Sequence, residues 1–299
     1  MAGNGTVSGG GNDGSNGGGN PIKLDMGNAW NEAMALLSAN FGVIATVVGL
    51  FYFLPQFAVA LLFPESNAAA SPDLPADASP EMVMEALNQT FQQAYADNWA
   101  FLLLTVILGY VGALAVLALL RRDGNPTVGD ALKAGVTGAP SYFATQVLFA
   151  IAAGLVIGLP VALVAALAPI AAVLLGLLLL VVLLYAAFKL LLIPAIIGIE
   201  GALNPLAIIA RSWRLTKGNT LRIFVFLVLL FLVITIITII VTLILGLVFA
   251  AMGDDIARIG NGFVGALANA ATGAIYLTVL ASIHRQLTGG GEDVVRTFE

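Results

Sequence analysis

The residues of this chain that could do chemistry are few, and the most unusual lies at membrane depth. Lys189 is the only charge well inside an apolar run, and Glu200 follows 11 residues later. In one straight helix the two are about 16 Å apart along the axis, too far for direct pairing. Intramembrane charges are functional candidates by default. We expect Lys189 to meet a polar side chain on a neighbouring helix, such as Gln146 or Asn269; the alternative is that its long side chain reaches the interface.

A short basic segment follows Glu200. Its periodicity predicts an amphipathic helix, with Arg211, Arg214 and Lys217 on one side and an apolar face that includes Trp213 on the other. Such helices lie in the membrane interface, with cations toward anionic headgroups. We therefore predict Arg211, Trp213, Arg214 and Lys217 as lipid or partner contacts, with simple topological anchoring as the alternative. Glu200 is expected to pair with Arg211 or Arg214.

The other reactive side chains of the sequence do not suggest catalysis. The chain has one His and no Cys. His284 alone cannot form a catalytic triad or a metal site. The sequence contains no phosphate-binding loop, dinucleotide fingerprint or nucleic-acid surface. We therefore expect no catalytic residue, cofactor, metal or nucleic-acid partner, and we expect that the protein is not an enzyme.

Composition places these residues in a lipid bilayer. Hydrophobic residues make up 60% of the chain and charged residues 10%, against roughly 25% charged in soluble domains. The apolar runs are continuous, which favours helices over barrel strands. The expected fold is an all-α polytopic bundle of six transmembrane helices. The third and fourth helices are expected to be separated at Ala168–Pro169, and a separation at Pro160 is the alternative. The predicted spans are 41–63, 99–120, 141–166, 170–199, 221–250 and 262–284.

The distribution of Lys and Arg predicts the orientation. Residues 64–98 contain six acids and no Lys or Arg, whereas the cations occupy alternate loops. The positive-inside rule then puts both termini in the cytoplasm. The predicted domains are a disordered Gly/Asn/Ser-rich tail at 1–22, a membrane domain at 23–288 and a cytoplasmic tail at 289–299. Within the membrane domain, 64–98 forms an external linker and then a helix that lies on the outer membrane surface or caps the bundle.

Three segments that precede odd-numbered spans resemble one another. They cover 24–42, 126–144 and 204–224, and each reads as an amphipathic helix, a break and an aromatic residue entering a span. The breaks are at Ala-Asn, Gly-Ala-Pro and Gly-Asn. The pattern predicts three repeats of a surface helix plus a two-span hairpin. The alternative is that cytoplasmic loops between spans commonly form such helices.

One motif resembles a known family. Lys189, Pro194 and Glu200 are followed by Ser-Trp-Arg-Leu-Thr-Lys-Gly-Asn at 212–219. This pattern is similar to the bacterial membrane family named after the membrane domain of glycerophosphoryl diester phosphodiesterase, with YciC-like relatives. The resemblance implies a six-span inner-membrane protein. The enzyme name belongs to members fused to a catalytic domain that needs several His and acidic residues, and this chain has one His.

Together these features favour a structural or accessory envelope role. The expected partners are membrane lipids with anionic headgroups on the cytoplasmic side, with a membrane-protein partner as a further candidate. The alternative is a small-molecule or ion transporter or channel. A transport path needs several converging polar groups inside the spans, and this chain offers few.

The first prediction tests the orientation. Cysteines introduced singly at Ala69 and Gly124 should differ in labelling by a membrane-impermeant thiol reagent on intact cells, because Ala69 lies in the acidic external loop and Gly124 in a basic cytoplasmic one. Ala69→Cys should react and Gly124→Cys should not. The chain has no Cys of its own, so the background is clean. Equal labelling would contradict the six-span arrangement with both ends inside.

Overall fold

The helices of this protein follow the apolar runs of its sequence. The computed structural model describes residues 23–62, 79–121 and 126–289. In these ranges the chain forms eight helices and no strand. We number them α1 Met26–Ala39, α2 Phe41–Leu62, α3 Pro80–Leu119, α4 Val128–Ala165, α5 Pro169–Glu200, α6 Pro205–Leu215, α7 Thr220–Ala250 and α8 Asp254–Leu287. The predicted tail at 1–22, nearly all of the predicted linker at 64–79 and the end of the chain from 290 lie outside the described residues.

Six of these helices are long and apolar enough to cross a membrane. They are α2, α3, α4, α5, α7 and α8, so the chain is an all-α multi-pass membrane protein, as predicted. The predicted break between the third and fourth spans is also confirmed, because α4 ends at Ala165 and α5 begins at Pro169. Pro160, the rival break, stays inside α4.

Prolines inside the spans are accommodated by a wider helical turn. A π-helical turn at Gly49–Phe53 precedes Pro55, and another at Gly154–Gly158 precedes Pro160. A proline has no backbone N–H to donate, so a carbonyl in the preceding turn lacks its usual donor. The wider turn changes the hydrogen-bond register there, and the helix continues. The same device therefore occurs in the first and third spans.

Two predicted breaks do not exist. The predicted outer-surface helix at 80–97 is part of one continuous helix, α3, whose 40 residues extend about 60 Å. It thus continues the second span rather than lying flat on the membrane. The Gly-Ala-Pro sequence likewise does not interrupt α4, which carries Pro140 internally. Near this point α4 packs closely on α5, since a Cβ at Gly138 would come within 2.7 Å of Ile197.

The other two breaks of the predicted repeat are present. Between α1 and α2 the helix is interrupted at Asn40, and between α6 and α7 Gly218 adopts a left-handed φ of 83°. The helices of the second and third copies begin at capping side chains. Thr127 and Asp130 form a capping box, and Asn204 caps α6 ahead of Pro205. The first and third copies therefore match the predicted repeat, and the second has fused its surface helix to the span.

The packed core lies at one end of the bundle, where α3, α5 and α8 finish beside α1 and α6. We call it the basic end, because Arg121, Arg211, Arg222 and Arg285 all lie there. A Cβ at Gly198 would sit 2.5 Å from Leu117 Cβ, which shows how closely α5 approaches α3. Away from this end, α4 and α5 expose most of their surface. None of the most apolar window of α4 and only 6% of that of α5 is buried, so the protein offers lipid a large apolar surface.

Candidate functional site

The candidate site is built around an irregular turn in α5. Pro194 has no N–H, and the Ile193 amide bonds to the Leu190 carbonyl at 3.2 Å instead of continuing the helical pattern. The carbonyl of Lys189 therefore loses its helical donor. This point is buried, and an unpaired buried carbonyl costs about 1–3 kcal/mol.

Two hydroxyl groups of α6 and its following turn satisfy this carbonyl. Ser212 Oγ donates to Lys189 O at 2.8 Å. Thr216 Oγ1 lies 3.2 Å from the same oxygen and shares its proton with the Ser212 carbonyl at 2.9 Å. Both side chains are fully buried. Hydroxyl side chains commonly satisfy backbone groups freed by proline within membranes. Ser212 and Thr216 thus attach the surface helix to the kinked span.

The Lys189 side chain lies between two aromatic rings. Its Nζ is 5.5 Å from the centre of the Tyr185 ring and 5.6 Å from that of Trp213. The residue is only 3% exposed, so it is covered by protein and does not face lipid. Such cation–π contacts are worth about 0.5–1 kcal/mol at exposed sites and about 2 kcal/mol or more when desolvated.

The predicted amide partners of Lys189 lie elsewhere. Gln146 is within hydrogen-bonding reach of Tyr110 and Tyr142, and Asn269 is exposed on the surface of α8. The described contacts of the Lys189 ammonium are with the two aromatic rings. Lys189, Glu200, Gln146 and Asn269 therefore do not converge into the single intramembrane polar site that the sequence suggested.

Glu200 joins three helices at the basic end. Its Oε1 accepts a hydrogen bond from Arg211 Nη2 at 3.2 Å and lies 2.8 Å from His284 Nε2. The sequence predicted that Glu200 pairs with Arg211 or Arg214, and the structure shows the pair with Arg211. His284 is 3% exposed and comes from the end of α8. The cluster ties α5, α6 and α8 together.

A second set of contacts attaches α1 to the same end. Ser282 Oγ donates to the Ala29 carbonyl at 2.8 Å, and Arg285 Nη1 lies 3.4 Å from Glu32 Oε1. Arg285 Nη2 also donates to the Leu120 carbonyl at 2.6 Å, which brings in α3. The backbone around Leu24 is held similarly, by the Asn219 side chain and by Arg222. The basic end is therefore one connected polar network.

The cations of α6 divide into two kinds. Arg211 pairs with Glu200, and its side chain remains 40% exposed. Arg214 and Lys217 are exposed, and within the described part of the chain neither side chain forms a hydrogen bond or ion pair. Trp213 is 43% exposed. All four predicted contact residues therefore keep surface that a ligand could reach from outside.

The polar side chains of the basic end are engaged in contacts between helices. Among the described residues, no three His, Asp or Glu side chains come together in a group that could hold a metal ion. Glu200 contacts both His284 and Arg211. No family model matches the chain, and neither a curated protein nor a solved structure matches it.

Sequence reasoning missed several residues of this site. Ser212 and Thr216 belonged to the recognised motif but had no assigned partner, and the signal available was Pro194 downstream of Lys189. The His284–Glu200 contact joins residues 84 positions apart, so spacing could not reveal it. Tyr52, Tyr110, Tyr142 and Tyr276 also gather inside the bundle, within electrostatic reach of one another.

The Lys189–Trp213 contact predicts a measurable coupling. Lys189→Met and Trp213→Leu, singly and together, should give a double-mutant coupling energy of about 1–2 kcal/mol in unfolding free energy, because the cation–π contact is buried. The free energies can be measured by denaturant titration in detergent micelles. Trp99, which is 65% exposed on α3, is the control.

Combining Lys189→Met with Trp99→Leu should be additive within about 0.5 kcal/mol, as for distant sites. Additivity in the Lys189–Trp213 pair as well would mean that the ring contact contributes nothing to stability.

Proposed function

We propose that this chain is an integral protein of a bacterial inner membrane with a structural or accessory role in the envelope, exerted through contacts with anionic lipid. The proposal includes kinship with the membrane family whose motif it resembles, without the phosphodiesterase activity of its fused members. A membrane-protein partner at the same surface is part of the proposal. Glu200 and His284, the groups closest to an acid–base pair, are engaged in the contact that ties three helices, which supports a non-enzymatic role.

The charge distribution supports this membrane and orientation. The cations of the polar network and the exposed Arg214 and Lys217 occupy one end. At the opposite end, the described cation Arg258 lies 3.7 Å from Asp255. Basic segments are retained on the cytoplasmic side, where the leaflet surface is negative. The proposed arrangement therefore has the basic end, α1 and α6 in the cytoplasm.

The single observation that carries the lipid proposal is the outward pair Arg214 and Lys217. Arg211 is paired with Glu200, whereas Arg214 and Lys217 are exposed beside the half-exposed Trp213. Each cation near an anionic leaflet contributes about 1 kcal/mol of attraction. An indole ring at the interface adds an amphipathic anchor.

One observation favours the alternative, a transporter or channel. Gln146 and the tyrosine cluster place polar side chains within the bundle, contributed by α2, α3, α4 and α8. Tyr52 donates to the Gly109 carbonyl at 3.3 Å, however, and Gln146 meets two tyrosines, so these groups largely satisfy one another. Solute passage through vesicles containing the purified protein, lost in Gln146→Leu, would favour transport over the accessory role.

The lipid proposal predicts a change in retained lipid. Replacing Arg214 and Lys217 together by Gln should lower the retention of phosphatidylglycerol relative to phosphatidylcholine by roughly 25-fold, because each cation contributes about 1 kcal/mol. Native mass spectrometry from mixed micelles measures this ratio. Arg258→Gln, at the opposite end, is the control and should leave the ratio unchanged. If the double variant retains as much phosphatidylglycerol as the parent protein, Arg214 and Lys217 only set the orientation of the protein in the membrane and do not bind lipid.

A further inference from the structure

A deep apolar groove opens beside the surface helix. Walls from α4 and α5 and one face of α6 enclose a cavity of about 420 Å³, within the roughly 300–1,000 Å³ range of small-molecule sites. Its lining is almost wholly hydrocarbon and aromatic. Representative lining residues are Phe149, Ala153, Ala186, Leu190, Ile209 and Trp213.

The groove exists because polar contacts at the basic end hold α6 across α4 and α5. Ile208 and Ser212 are fully buried against the bundle, which turns the face with Leu206, Ile209 and Trp213 toward the gap between α4 and α5. That apolar face was expected to rest on bulk lipid. In the structure it instead forms one wall of a groove that is partly open to the outside.

The two ends of the groove differ in charge. Trp213 lines the end nearest the membrane surface, and its ring is fixed by the buried Lys189 ammonium, so Lys189 is a positioning residue. Arg214 and Lys217 follow Trp213 by one and four residues and are exposed at the same end. Farther along, the groove continues between apolar side chains such as Val156 and Val182. The arrangement complements a molecule with an anionic head and a hydrocarbon chain.

We propose that this groove binds one acyl chain of a phospholipid with an anionic headgroup, with the headgroup at Arg214 and Lys217. The inference rests on the proposed lipid-binding function and names the subsite. A second apolar groove, between α7 and α8, has a volume of about 260 Å³. Neither lining contains a cation. In the first groove, however, the lining residue Trp213 is followed in the chain by the exposed Arg214 and Lys217, so charge complementarity selects the first groove.

Fluorescence quenching by brominated lipid can test the site. Trp30→Phe with Trp99→Phe leaves Trp213 as the single tryptophan. This protein is placed in equimolar vesicles of phosphatidylglycerol and phosphatidylcholine, with bromine on the acyl chains of one lipid at a time. Brominated phosphatidylglycerol should occupy the groove with a preference of about fivefold for each engaged cation, and should therefore quench Trp213 more strongly.

Two kinds of variant separate the groove from the headgroup contact. Ala186→Phe, or the smaller Ala153→Leu, fills the groove and should abolish the preference for brominated phosphatidylglycerol. Ala187→Phe makes the same change one position along α5, where the side chain is exposed and does not line the groove, and should retain the preference. Arg214→Gln with Lys217→Gln should abolish it.

The outcomes are distinct. A preference lost in the charge variant and in both groove-filling variants, but kept in Ala187→Phe, supports the groove site. A preference lost only in the charge variant overturns the groove inference and leaves the proposed headgroup contact standing. Equal quenching by the two brominated lipids in the parent protein overturns both.

Discussion

The structure depends on one backbone carbonyl that its own helix cannot satisfy. Pro194 interrupts the hydrogen-bond pattern of α5, and the Lys189 oxygen is left inside the membrane without its usual donor. Since hydrocarbon offers no replacement, the chain must bring hydroxyl groups from elsewhere. Ser212 and Thr216 supply them at 2.8 Å and 3.2 Å. The position of α6, and with it the groove wall and the exposed cations, follows from this requirement.

The two ends of the bundle differ in how their helices are held together. At the basic end, charged and hydroxyl side chains pair with one another or with backbone carbonyls, and Glu200 alone links three helices. Apolar packing between helices gains little in lipid, so such polar contacts and close glycine contacts hold the helices together. Toward the other end polar contacts are sparse among the described residues, and close apolar contacts hold α8 to α2, where a Cβ at Gly262 would lie 2.7 Å from Ala60 Cβ. The groove proposed for an acyl chain lies between α4 and α5, whose most apolar windows are almost wholly unburied.

The sequence was sufficient for features governed by local physics. The spans follow from hydropathy, the Ala168–Pro169 break from proline geometry, and the starts at Thr127 and Asn204 from capping chemistry. Features set by tertiary contacts were missed. Pro140 remains inside α4 although the sequence predicted a break there, and Lys189 meets aromatic rings because α6 is held across α5. The contact of His284 with Glu200 joins residues 84 positions apart.

Hydrogen–deuterium exchange of the double variant Ser212→Ala, Thr216→Val tests the central claim most directly. If the two hydroxyls hold α6 against the kinked span, amides in 189–200 and 205–217 should exchange faster than in the parent protein, while those of α7 remain protected. Ser38→Ala, which removes only a hydroxyl that bonds within α1, should change neither segment. Unchanged exchange in both segments of the double variant would contradict the account, because α6 would then be held without the Lys189 carbonyl.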